Sequence, residues 1–199
     1  MHKRIFVAFL VLSGFAHSSG FETDFVQAAQ ERMNHRVTYD GRYIAIPYPG
    51  GDVPDHLGVC TDVVIRSYRK LGVDLQVLVH EDMDAHFDLY PSKRIWGLNS
   101  PDENIDHRRV PNLQTFFNRH GESLSISTVG TDYQPGSMVT WMLPGNLPHI
   151  GIVSATINPR SGNPMIIHNI GSGPTLEDML FKYEITGHYK YVPESYGVD

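Results

Sequence analysis

Cys60 is the only cysteine of the 199 residues, and its surroundings could mount a nucleophile. From Tyr48 onward Gly50, Gly51, Pro54 and Gly58 mark a turn-rich loop. After Cys60, Val63, Val64, Ile65, Tyr68 and Leu71 follow helical spacing, and Gly72 suits the position past the last turn. Thr61 and Asp62 fit a first turn, where side-chain oxygens bond free backbone N–H groups. A thiol at a helix start lies near the positive end of the dipole, which favours thiolate. Such a nucleophile needs a base, and usually a third polar group to orient the base. His149 opens an apolar run after the turn at 144–148, and His168 ends the next run after the turn at 158–163. The beginning of one antiparallel strand can lie beside the end of the next, so the two histidines are candidates for these roles. Asn169 competes with His168. Successive strand residues face opposite sides, so only one of them can face His149. For His35, His56, His86, His107, His120 and His188 the expectation is a surface or satisfied core residue.

A lone cysteine is commonly just a small buried hydrophobe. The start of the chain argues otherwise. His2, Lys3 and Arg4 precede an apolar run from Ile5 to Phe15, which reads as a secretory signal over residues 1–18. The run is shorter than the roughly 20 residues a membrane span needs, and an uncleaved anchor is the alternative. Exported proteins normally pair their cysteines, so a single one is flagged as a reactive thiol. Residues 19–199 are expected to form one domain, large enough for a proper core, in the periplasm. A net charge of −6 and a pI near 6.0 exclude a basic nucleic-acid-binding face. No later stretch is apolar enough to span a membrane, and no cofactor is expected.

The elements that must position these residues are helical first and extended later. Thr23 can cap a helix carrying Phe25, Val26, Ala29 and Met33; residues 36–46 read as extended; residues 74–90 can hold a second helix ended by Pro91. Residues 92–111 read as a long polar connection whose Lys93, Arg94, Arg108 and Arg109 are solvated or else meet substrate carboxylates. Leu113, Phe116 and Phe117 mark a short helix closed by Gly121. Strands are expected at 123–129, 136–142, 149–157, 165–170 and 187–192, which makes the domain α+β. Within residues 80–86 the two histidines are six apart, about 240° round a helix, so a solvated acidic face is expected rather than a metal site.

The run from Gly136 through His149-Ile-Gly-Ile-Val to Ser154 resembles the second half of the NlpC-type cell-wall cysteine peptidases of the papain-like superfamily. Gly58-Val-Cys-Thr-Asp-Val-Val64 is similar to their Asp-Cys-Ser-Gly-Phe-Val helix start, although Val59 precedes the cysteine here and Thr61-Asp62 follows it. The resemblance implies a nucleophile at Cys60, a base at His149 and an orienting residue at His168. It also implies an oxyanion-stabilising tyrosine at Tyr48. Residues 73–121 form an insertion with no clear counterpart in that family. Over most of the mature chain, the Cys-Thr-Asp-Val, His-Ile-Gly-Ile-Val, His-Asn-Ile-Gly and Ile-Thr-Gly-His-Tyr blocks resemble a bacterial family numbered as domain of unknown function 1287.

The fold expected from this is papain-like, with the nucleophile helix packed on a C-terminal antiparallel sheet. The expected activity is hydrolysis of an amide bond in peptidoglycan stem peptides through a thioester. Two alternatives stay open: an acyltransferase using the same thiol, and a non-catalytic wall-binding module. The sequence leaves the oligomeric state open.

Overall fold

The computed structural model describes residues 18–194 and 196. The export signal expected over residues 1–18 lies outside the described residues except for Ser18. Helix α1 (Ser18–Arg32) begins before Thr23, which therefore lies inside the helix instead of capping it. The added turn is held by packing: Phe21 is buried and its ring lies 5.8 Å from those of Phe25 and Tyr68. Of the extended stretch expected over 36–46, only β1 (Thr38–Tyr39) is a strand, paired in parallel with β2 (Leu57–Gly58).

Helix α2 (Cys60–Lys70) follows β2 directly, and every residue from Cys60 to Tyr68 is buried. The amide of Gly72, at φ +79°, bonds back to Arg69 and that of Val73 to Tyr68, closing the helix as its glycine requires. Asp74 caps α3 (Leu75–His86) by accepting from the Gln76 amide. In the acidic stretch of α3, Glu81 and Asp84 are exposed as expected, and Asp82 is the exception. Asp82 is buried and accepts from Tyr90 Oη and Arg119 Nε, both at 2.7 Å. Among the described residues, no group of potential ligands is placed to hold a metal ion.

Residues 92–111 also differ from the bare connection expected. They contain α4 (Ser92–Trp96) and a 3-10 turn at Asp106–Arg108, followed by α5 (Val110–His120). Short polar side chains organise the loop locally, with Asp102 Oδ1 accepting from the Asn104 amide and Asp106 Oδ2 from the Asp102 amide.

The last third forms one antiparallel sheet: β3 (Glu122–Ser123), β4 (Met138–Leu143), β5 (Leu147–Ile157), β6 (Pro164–His168), β7 (Thr175–Glu177) and β8 (Glu184–Lys190). Its spatial order is β3-β8-β4-β5-β6-β7. The strand expected over 123–129 shrinks to its first residue, and β7 was not expected. Alternation along the strands divides the core. Met138, Ile150, Ile152, Ile167 and Tyr189 pack with the helices, whereas Val139, Trp141, Val153 and Ile166 form a second cluster with Tyr133, Met179 and Leu180. The result is the expected α+β architecture, with the cysteine helix against an antiparallel sheet. No helix among the described residues is long and apolar enough to cross a membrane.

Candidate active site

The site is built where β6 stops. On β5 the Val153 amide bonds toward β4, to the Ser137 carbonyl. By alternation the Ile150 amide points the other way, toward β6. The pairing of Ile152 with Ile167 leaves the position opposite Ile150 to Asn169, and β6 ends one residue earlier, at His168. The Cys60 sulfur takes the vacant acceptor place, where the amides of Ile150 and Thr61 favour its charged form. The thiol therefore meets β5 one residue past His149.

His149 and His168 share the opposite side of the sheet from Ile150, and the structure brings them together. His149 Nε2 and His168 Nδ1 are 3.0 Å apart with the rings nearly perpendicular. Gly151 makes this possible. A Cβ there would stand 2.6 Å from Ile166 Cγ2 and 3.1 Å from His168 Cβ, so glycine leaves room for β6 to carry these two side chains past β5. Asn169 turns the other way. Its Oδ1 accepts the amides of Gly171 and Gly173, and its Nδ2 reaches the Gly58 carbonyl at 3.5 Å. It thus ties the loop after β6 to the residues just before Cys60, and among the described residues its side chain makes no hydrogen bond to His149.

Burial governs the protonation of the group. Cys60 is 4% exposed, and burial pushes its thiol up to about 11, with Asp62 adding to the effect. The backbone amides beside the sulfur pull the other way without prevailing, whereas the helix dipole taken alone argued for thiolate. Burial holds His149 down to about 3, and the charge of His168 acts in the same direction. Burial also lowers His168, against the carboxylate of Glu177. At neutral pH both thiol and imidazole are uncharged.

A cleft of about 360 Å³ opens on Cys60, lined among others by Tyr39, Trp96, Arg108, Arg109 and Pro148. Tyr39, at the end of β1, lines the cleft with Cys60; burial first, and then Cys60 and Asp62, push its phenol up to about 12. Tyr48 is placed elsewhere. Its ring lies 5.0 Å from that of His80, and it does not line the cleft, because the loop between β1 and β2 carries it away.

Arg108 is not the solvated cation expected. It makes a bidentate ion pair with Asp62, both side chains 3% exposed, while its carbonyl accepts from Thr61 Oγ1. Arg109 lies 4.1 Å over the Trp96 ring and pairs with Asp106. The insertion thus supplies one wall of the cleft and is locked to the first turn of α2. Sequence reasoning missed Tyr39, Trp96, Gly151 and the Asp62–Arg108 pair. Of these, only the glycine two residues past His149 left a legible signal, as a residue with no side chain on the imidazole's own face of the strand.

In sequence, the chain is 51% identical over 163 residues to the "Uncharacterized protein YijF" of Escherichia coli (strain K12), covering 82% of this chain and 78% of the relative. Among solved structures it resembles the "Structure of NlpC1 from Trichomonas vaginalis", with a TM-score of 0.43 and 14% identity. That likeness covers 90% of this chain but 46% of the other, so the chain spans about half the length of that structure. The blocks around Cys60, His149 and His168 fall inside residues 26–191, the span over which the chain matches, and belongs to, the family described as Domain of unknown function (DUF1287).

Proposed function

We propose that this chain is an exported cysteine hydrolase of the papain-like type, cleaving an amide bond in the peptide part of peptidoglycan. The observation that carries the reading is the Cys60 sulfur seated beyond the end of β6 at the amide of Ile150, the residue that follows His149 in β5, together with the contact of His149 Nε2 with His168. With Nε2 engaged, Nδ1 is the nitrogen through which His149 acts as base. Because thiol and imidazole rest uncharged, proton transfer accompanies attack. The S–H proton passes to Nδ1 as sulfur bonds to the carbonyl carbon. The resulting oxyanion is held by the Cys60 amide and the Tyr39 hydroxyl, the role expected of Tyr48 falling to Tyr39. The C–N bond then breaks, the imidazolium gives its proton to the departing amine, and a thioester remains. Water yields a proton to His149 and attacks the thioester. As the C–S bond breaks, that proton returns to sulfur and the acid leaves.

Purified sacculi incubated with the mature protein test this. Detached or shortened stem peptides are expected by mass spectrometry, and none with Cys60→Ala. Cut sugar chains would refute the mechanism, since glycan hydrolysis typically uses a carboxylate pair. Intact sacculi, with a thiol that still accepts acyl groups from activated esters, would move the reading to acyl transfer on another substrate.

A further inference from the structure

His168 has two ring nitrogens, and the contact with His149 uses one. Its Nε2 is buried and makes no hydrogen bond. Glu177 Oε2 lies 3.6 Å away, just past hydrogen-bond length. The short strand β7 places it there. Thr175 pairs with His168 and Glu177 with Ile166, so the carboxylate projects on the same side of the sheet as the imidazole. Lys182 is the other charge acting on His168, and it opposes protonation.

Two neutral imidazoles joined through one nitrogen each share a single proton between them. If His168 supplied it from Nδ1, its bare Nε2 would face the Glu177 carboxylate, acceptor against acceptor. If His149 supplies it from Nε2, His168 carries its own proton on Nε2, pointing at Glu177. His149 is then left with a bare lone pair on Nδ1. Only the second arrangement gives His149 an acceptor for the proton of Cys60. We propose that Glu177 is a positioning residue that selects this tautomer chain and so fixes His149 as the base. The proposal rests on the reading of Cys60 and His149 given above. Once His149 is protonated, the same carboxylate stabilises the charge through His168.

The test is nitrogen-15 NMR of the histidine rings in the mature protein at pH 7.5, together with p-nitrophenyl acetate as acyl donor. In the wild type both His149 and His168 should carry the proton on Nε2. Glu177→Ala should bring Nδ1-protonated His149 into view and slow acylation of Cys60 roughly tenfold, as loss of an outer orienting partner does. Glu177→Gln keeps an amide oxygen that can accept, and should recover most of both signals. The Glu177 side chain is 42% exposed, so these variants disturb little packing. An unchanged His149 tautomer in Glu177→Ala would overturn the proposal. A wild-type thiol that never acylates would overturn the reading of Cys60, while the tautomer change would still support the role of Glu177.

Discussion

The Asp62–Arg108 pair joins the Cys60 helix to the cleft wall, and its strength can be worked from the structure. Both Nε and Nη2 of Arg108 lie 2.9 Å from the carboxylate, and Asp62 Oδ2 also accepts the Val59 amide at 2.6 Å. With Arg108→Met the carboxylate stays buried with one amide donor in place of three. Removing one partner from a buried pair costs about 3–5 kcal/mol, because the other charge is left uncompensated. Asp62→Leu should cost as much, plus about 1 kcal/mol for the lost first-turn bond. The double variant buries no stray charge, so it should fall well short of the sum, with a coupling of roughly 2–4 kcal/mol. Equilibrium urea unfolding of the four proteins measures this. With a slope of about 2 kcal/mol per molar, each single variant should lower the midpoint by roughly 1.5 M or more. Single variants costing under about 1 kcal/mol and adding without coupling would refute the claim that this pair is a desolvated lock.

Three other outcomes follow from the same site. Tyr39→Phe should lower turnover roughly 100-fold, as loss of one oxyanion donor does, while Tyr48→Phe stays near wild type; equal losses in steady-state assays would return the role to Tyr48. With its thiol raised to about 11, Cys60 in the resting protein should react with iodoacetamide at a rate that climbs through pH 9–11. A plateau below pH 8 would show that the helix dipole and amides outweigh burial. Burial keeps His107 down to about 4 and His149 to about 3, and lowers His168 and His188 as well. Their unfolded counterparts protonate near pH 6.5, so the stability they contribute is whole above that value and drains as pH falls toward 4. For His107 and His149 the loss should reach up to about 1.4 kcal/mol per pH unit each, and urea midpoints that do not move between pH 7.5 and pH 5 would refute it.

Much of the fold was legible because its signals are local. The helix after Cys60 shows in the spacing of Val63, Val64, Ile65, Tyr68 and Leu71 and in the glycine that ends it, and the long strands show as apolar runs between turn residues. The pairing of His149 with His168 also follows from order alone, since an antiparallel connection sets the start of β5 beside the end of β6. Which of His168 and Asn169 meets His149 was decided in three dimensions. Strand alternation separates them, but only packing decides which side α2 covers, and there Asn169 is spent on holding its own loop. The same holds for Tyr39, which comes to Cys60 through a parallel pairing of two-residue strands about 20 residues apart, too short to leave a periodic pattern. The acidity of the thiol was likewise beyond the sequence. A helix start argues for thiolate and burial argues against it, and burial depends on every element folded over Cys60. The lock between Asp62 and Arg108 shows the limit most plainly: the aspartate reads as a first-turn residue bonded to backbone N–H and the arginine as a loop cation, and only the tertiary fold buries the two against each other.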